Sequence, residues 1–207
     1  MRISLFYCFV ISLALSCASN KVEPQTEPVS SGSSAQFIWK PNVFKDDFYS
    51  EQLNAYSSIS FSVSSCQDIR EQKEVIGEST DLLSKQTSSI ITRINLADWC
   101  RRNLPNALNF LNIKSNLKNG IILECELRSF SIKDDQSLHA EIKLGVVAKG
   151  KNDILVWEGS IQGASDLYLK PAGSNGLSEC ISNTLIITVY NLLNEPSFRD
   201  AVIKSTL

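Results

Sequence analysis

The stretch "SLHAEIKLGVVAK", Ser137 to Lys149, limits the fold more than any other: Leu138, Ala140, Ile142, Leu144, Val146 and Ala148 occupy every second position with mostly polar residues between them. A period of two held over eleven residues specifies a β-strand with one buried and one polar face. Its neighbours read as strands too. In "IILECELRSFSI" Leu123, Cys125 and Leu127 share a face with Ser129, and the apolar set then slips to Phe130 and Ile132, which predicts a bulge. In "ILVWEGSIQG" Leu155, Trp157 and Ile161 lie on one face and Ile154 and Val156 on the other. The links "KDDQ" and "GKND" are short turns, so the three strands form an antiparallel meander.

Upstream, "SSISFSVSS" alternates Ile59, Phe61 and Val63 with serines and makes a first strand. "CQDIREQKEVIGES" then reads as a long charged loop, and Ile90 and Ile91 form a short strand or lead into the next helix. In "NLADWCRRNLPNALNFL", Asn95 is the predicted N-cap and the apolar residues recur at helical spacing, with Pro105 predicted to kink or restart the helix. "LSECISNTLIITVYNLLN" is a second amphipathic helix that stops before Pro196, and a short last helix through "SFRDAVI" is compatible with the pattern. The apolar "FIWKPNVF" is either an edge strand or an anchor onto the core. The expected fold is therefore α+β, a mainly antiparallel sheet of about four strands with two long helices packed on one face. A first strand joined to the second through a helix must run parallel to it.

The amino-terminal region follows a different logic. Met1 and Arg2 precede an uncharged run, Ile3 to Ser16, that is shorter than the roughly 20 residues a membrane-spanning helix needs but suits a signal peptide. Two cuts fit: before Cys17, whose thiol would be acylated, or after Ala18, with Cys17 discarded. From Ala18 to Gln36 the chain is rich in Ser, Pro, Glu and Gln, a composition that cannot bury enough surface to offset its ordering entropy. As a coil such a tether spans about 25 Å. The expected organisation is a signal peptide at 1–16, an acylated tether at 17–36 and a single α+β domain at 37–207.

The chain carries 20 basic and 22 acidic side chains, a formal charge of −2, and no basic stripe suited to nucleic acid. Besides Cys17 the mature chain has Cys66, Cys100, Cys125 and Cys180. In an oxidising compartment an even count invites disulfides. Cys66 ends the first strand and Cys100 opens the first helix, while Cys125 faces inward and Cys180 opens the second helix, so the expected pairs are Cys66–Cys100 and Cys125–Cys180. Four buried free thiols are the alternative. With one histidine in the chain and no zinc-ligand spacing, neither a metal nor another cofactor is expected.

The run "ISFSVSSCQDIREQKEVIG" followed in order by "ADWCRRNLPNALNFL", "IILECELRSFSI", "DILVWEGSIQG" and the helix before "NEPSF" resembles the small bacterial envelope lipoproteins of the YajG type, and shares the layout of auxiliary lipoproteins of some ABC transporters. The resemblance implies a lipid-anchored envelope location and brings no activity to any residue. The lipobox-like match at Cys17 implies several acyl chains and thus a lasting anchor; Ala18 after the cysteine favours the outer membrane, on its periplasmic side.

Candidate catalytic groups are few. His139 alternates with the apolar face of its strand and should point to the polar side, without a triad around it. Asp134 and Asp135 fit a turn. Asp68 and Arg70 would pair on the surface or contact a partner, and "GSNG" at 173–176 lacks the Lys and Ser/Thr of a P-loop. The expected function is a non-enzymatic interaction module that binds an envelope protein partner in assembly or transport. The alternative is a binder or carrier of a small apolar ligand or lipid. An exposed apolar patch or free sheet edge would favour the first, an enclosed apolar pocket of a few hundred Å³ the second; Trp99 and Trp157 are the residues to inspect for either.

Overall fold

The computed structural model describes residues 34–35, 37–48, 51–115, 120–167 and 174–206. The signal peptide, Cys17 and most of the expected tether lie outside the described residues.

Among the described residues eight strands form one mixed sheet: β1 (Ser34–Ala35), β2 (Ser60–Asp68), β3 (Val75–Thr80), β4 (Thr87–Thr92), β5 (Lys114–Ser115), β6 (Ile121–Asp134), β7 (Leu138–Lys149) and β8 (Leu155–Leu167). Three α-helices accompany them: α1 (Leu96–Phe110), α2 (Ser174–Asn194) and α3 (Pro196–Ser205). This corrects the expected sheet of about four mainly antiparallel strands with two long helices. β6, β7 and β8 are the antiparallel meander, and the slip in β6 falls where its apolar set changes phase, between Leu127 and Ser129. The other edge of β6 is shared. Its first half pairs parallel with β2, and its last three residues, Ile132 to Asp134, pair parallel with β3. β3 and β4 form an antiparallel hairpin, β1 runs parallel to β4, and β5 adds to β2.

The region read as a charged loop therefore contains most of β3, and the stretch around Ile90 and Ile91, read as a short strand or a lead into the helix, is strand β4. Each buries few side chains, Ile76 in β3 and Ile90 and Thr92 in β4, among exposed or half-buried Ser, Thr and Glu, so the alternation is too weak to stand out. Close approach completes the junction: at Gly77 a Cβ would run into the Ile132 backbone.

Helix α1 begins as expected, with the Asn95 side chain accepting from the Asp98 N–H at 3.0 Å. It then runs without interruption through Pro105, against the expected kink. The carbonyl that Pro105 leaves without its helical donor belongs to Arg101, an exposed residue on the solvent side of the helix.

Both long helices lie on one face of the sheet. Leu104 of α1, Leu123, Leu144, Val146 and Ile161 of the sheet and Val189 and Leu192 of α2 meet around a shared interior. Helix α2 approaches β8 at Gly163, where a Cβ would stand 2.5 Å from the Thr188 N. The buried hydroxyls at this contact pair across it: Ser165 Oγ of β8 lies 2.7 Å from Thr184 Oγ1 of α2 and donates to the Cys180 carbonyl at 2.9 Å.

A strap covers the remaining side of α2. The segment "FIWKPNVF" is an anchor, and its backbone hydrogen-bonds to a polar stripe on the helix: the Ile38 N–H donates to Ser178 Oγ, Lys40 N–H to Ser182 Oγ and Asn42 N–H to Asn183 Oδ1. Lys40 Nζ and Asn42 Nδ2 both reach the Glu179 carboxylate at 2.9 Å. Two short 3-10 helices, Lys45–Phe48 and Glu51–Tyr56, carry the strap to its end, where the buried Tyr56 hydroxyl donates to the Leu193 carbonyl at 2.7 Å. Phe198 of α3, fully buried, stacks on Phe61 and meets Tyr56 and Trp157.

Candidate interaction surface

One disulfide joins Cys66 to Cys125, while Cys100 and Cys180 are buried free thiols. This overturns both expected pairings, Cys66–Cys100 and Cys125–Cys180. The cause is register: β2 and β6 pair in parallel with Cys66 directly opposite Cys125, Cα atoms 4.4 Å apart, which places the two thiols within bonding reach of each other. Burial pushes the Cys100 thiol up to about 12, with the Asp68 charge adding to the rise and Arg70 opposing it. Such a thiol is protonated at neutral pH and a poor nucleophile.

Asp68 and Arg70 do pair, but not on the surface. Arg70 Nε and Nη2 clasp the two carboxylate oxygens at 2.9 and 2.7 Å, Nη2 also donates to the Lys73 carbonyl, and both side chains are largely buried. Burial pushes the Asp68 carboxyl up, yet the Arg70 hydrogen bonds and charge more than reverse this and hold it below the usual carboxylate range. The pair fixes the loop between β2 and β3.

His139 sits on the polar face, its Nδ1 2.9 Å from Asp166 Oδ1, and both side chains are substantially exposed. Asp166 was absent from the sequence reading, although hairpin register places it directly across from His139. An exposed pair of this kind contributes under about 1 kcal/mol. Asp134 accepts from Ser79 Oγ, and Asp135 accepts from the Ser137 N–H within its turn, with Lys133 Nζ 3.4 Å away. Of "GSNG", residues 174–176 form the first turn of α2, and Gly173 lies outside the described residues. Trp99 is buried with its indole N–H unpartnered, and Trp157 packs edge-on against Phe198 while donating to Ser197 Oγ.

Two spaces bear on the ligand question. The apolar space between sheet and helices amounts to about 10 Å³. Beside the disulfide, where β2 and β3 part along β6, an open trough of about 770 Å³ mixes polar residues such as Gln67, Asp68, Lys73 and Arg93 with Ile91, Ile94 and Leu96. Neither is an enclosed apolar pocket.

The free edge of β8 has a different character. Among the described residues β8 pairs only with β7, so thirteen residues present one side without a strand partner. The Gln162 carbonyl accepts from Asn191 Nδ2 at 2.8 Å and so points off the sheet, and the backbone groups of Ser160 and Ala164 follow it by the period of two. Sheet edges are usually blunted by lysine or proline. Between Leu155 and Leu167 there is neither, and the charges the strand carries are Glu158 and Asp166.

No helix among the described residues is long and apolar enough to cross a membrane. No family model matches the chain, and no curated protein matches it. Among solved structures it is similar to protein XCC0632 from Xanthomonas campestris, of the family DUF330, at 10% identity and a TM-score of 0.46 over 81% of this chain and 95% of that one. A second crystal structure, of an uncharacterized protein, matches at 9% identity and a TM-score of 0.36 over 72% of this chain and 90% of that one. The YajG-type resemblance has no counterpart in these matches.

Proposed function

We propose that this chain is a bacterial envelope lipoprotein, held to the outer membrane through acylated Cys17 on the periplasmic side, that acts without catalysis as an interaction module and takes up an extended segment of an envelope protein by strand addition at β8. The observation that carries this reading is the β8 edge, thirteen residues long and free of lysine and proline, where a peptide can pair the outward backbone groups of Ser160 and Ala164 on either side of the Gln162 carbonyl that Asn191 occupies. The space between sheet and helices, about 10 Å³, is about that of a single water and gives the apolar-carrier reading no site there.

The test is affinity capture from crosslinked membranes with the intact lipoprotein and two variants. Ala164→Pro removes an outward N–H from β8 while leaving the β7 ladder intact, and is expected to lose the captured partner without loss of fold. Capture of the same partner by this variant ends the strand-addition reading. Cys17→Ala is expected to abolish membrane association, and unchanged association ends the anchor reading.

A further inference from the structure

Strand β8 sorts its side chains by parity. Ser165 hydrogen-bonds to α2 and Gly163 lies against Thr188, so the odd-numbered positions face the helices. Glu158, Ser160, Gln162, Ala164 and Asp166 therefore line the other face of the sheet. The charges in this outermost row are both negative. Glu158 is exposed and has no ion-pair partner among the described residues. Asp166 meets His139 of β7 at 2.9 Å and is itself substantially exposed. One strand further in, Glu141 and Lys143 lie across from Ala164 and Gln162 and offset each other. The edge that offers its backbone to a partner thus carries an acidic border.

The helix side of the same edge is apolar near its start. Trp157 and Ile161 are half-buried there, and Ile154 and Leu155, where the strand begins, are 63% and 58% exposed. Side chains directly opposite on neighbouring strands stand about 5 Å apart, where opposite charges attract and like charges repel. An added strand therefore sets its own residues beside Glu158 and Asp166. A second copy of β8 fits badly on this ground, because antiparallel pairing centred on Gln162 puts Glu158 of each copy against Asp166 of the other. A segment with lysine or arginine on one face matches the acidic row, and apolar residues on its other face meet Trp157 and Ile161.

We infer that the segment added to β8 is basic on one face and apolar on the other, and that Glu158 and Asp166 select it. The inference rests on the strand-addition reading above, and its test separates the two. The full chain is titrated into two fluorescently labelled synthetic peptides of alternating valine and polar residues, alike except that the polar positions carry lysine in one and glutamate in the other, with binding read by anisotropy. Expected is binding of the lysine peptide, weakened by added salt, and none of the glutamate peptide. Glu158→Gln and Asp166→Asn should each weaken the lysine peptide about two- to fivefold, and Ala164→Pro should lose it. Peptides that bind alike and are both lost in Ala164→Pro leave strand addition standing and overturn the basic partner. A lysine peptide held equally by the parent and by Ala164→Pro overturns both. One held equally by the parent and the two acid variants overturns the inference, since Glu158 and Asp166 then select nothing. A parent that binds neither peptide overturns it too, and strand addition is then decided by the partner captured from membranes.

Discussion

Removing the Cys66–Cys125 bridge should cost the domain several kcal/mol. The two cysteines are separated by 59 residues, and closing a loop of that size in the unfolded chain corresponds to about 4 kcal/mol in the chain-entropy treatment. For a domain of this size each kcal/mol moves the melting temperature by about 2–4 °C, so reduction should lower it by roughly 8–16 °C. The parallel register of β2 and β6 holds the two residues opposite each other with or without the bridge. The assay is thermal or urea unfolding of the oxidised chain, with and without reductant, beside a Cys66→Ala/Cys125→Ala variant. Reductant should shift the parent and leave the variant unmoved, and intact mass should rise by about two units for the single bridge. A reductant effect that persists in the variant, or a linked peptide joining Cys66 to Cys100, would refute the register argument.

Arg70→Ala leaves the Asp68 carboxylate largely buried without its clasp and should cost about 3 kcal/mol in urea unfolding, as removal of one partner of a buried pair does. Because the folded carboxyl sits below its ordinary value, the contribution is present above about pH 4 and is lost as pH falls through the folded value, so the variant should show a flatter acid limb; parallel acid limbs would count against the pairing. Tyr56→Phe strands the buried Leu193 carbonyl and should cost about 1–3 kcal/mol. Burial pushes the Tyr56 phenol well above 10, with Arg199 opposing the rise and Asp200 adding to it, so only the unfolded chain gives up this proton and stability should decline as pH climbs past about 10. Absorbance titration checks this: the Tyr56 phenol should ionise only on unfolding, and the phenylalanine variant should lose that step.

The meander was legible in the sequence because β7 buries every second side chain from Leu138 to Ala148, a signal no neighbouring element contradicts. β3 was not, because Ile76 is its one deeply buried residue and the rest of the strand is half-buried or exposed. Helix α2 was visible, but the burial of its polar Ser178, Glu179, Ser182 and Asn183 was not, because it depends on the strap, some 140 residues away in sequence. The disulfide was misassigned for a related reason: its partners are set by the register of a parallel pair whose connection passes through a hairpin and a helix, and no local pattern encodes that offset. As for the candidate site, the absence of lysine and proline from β8 can be read directly, whereas its place at the outside of the sheet depends on how all the other strands pair.

The strap across α2 also orders events in time. Residues made early, from Phe37 to Tyr56, find their hydrogen-bond partners in a helix made almost last, so the first part of the domain cannot close while the end of the chain is still being delivered. Docking of the strap thus comes late in synthesis, and its last hydrogen bond waits for Leu193 to arrive.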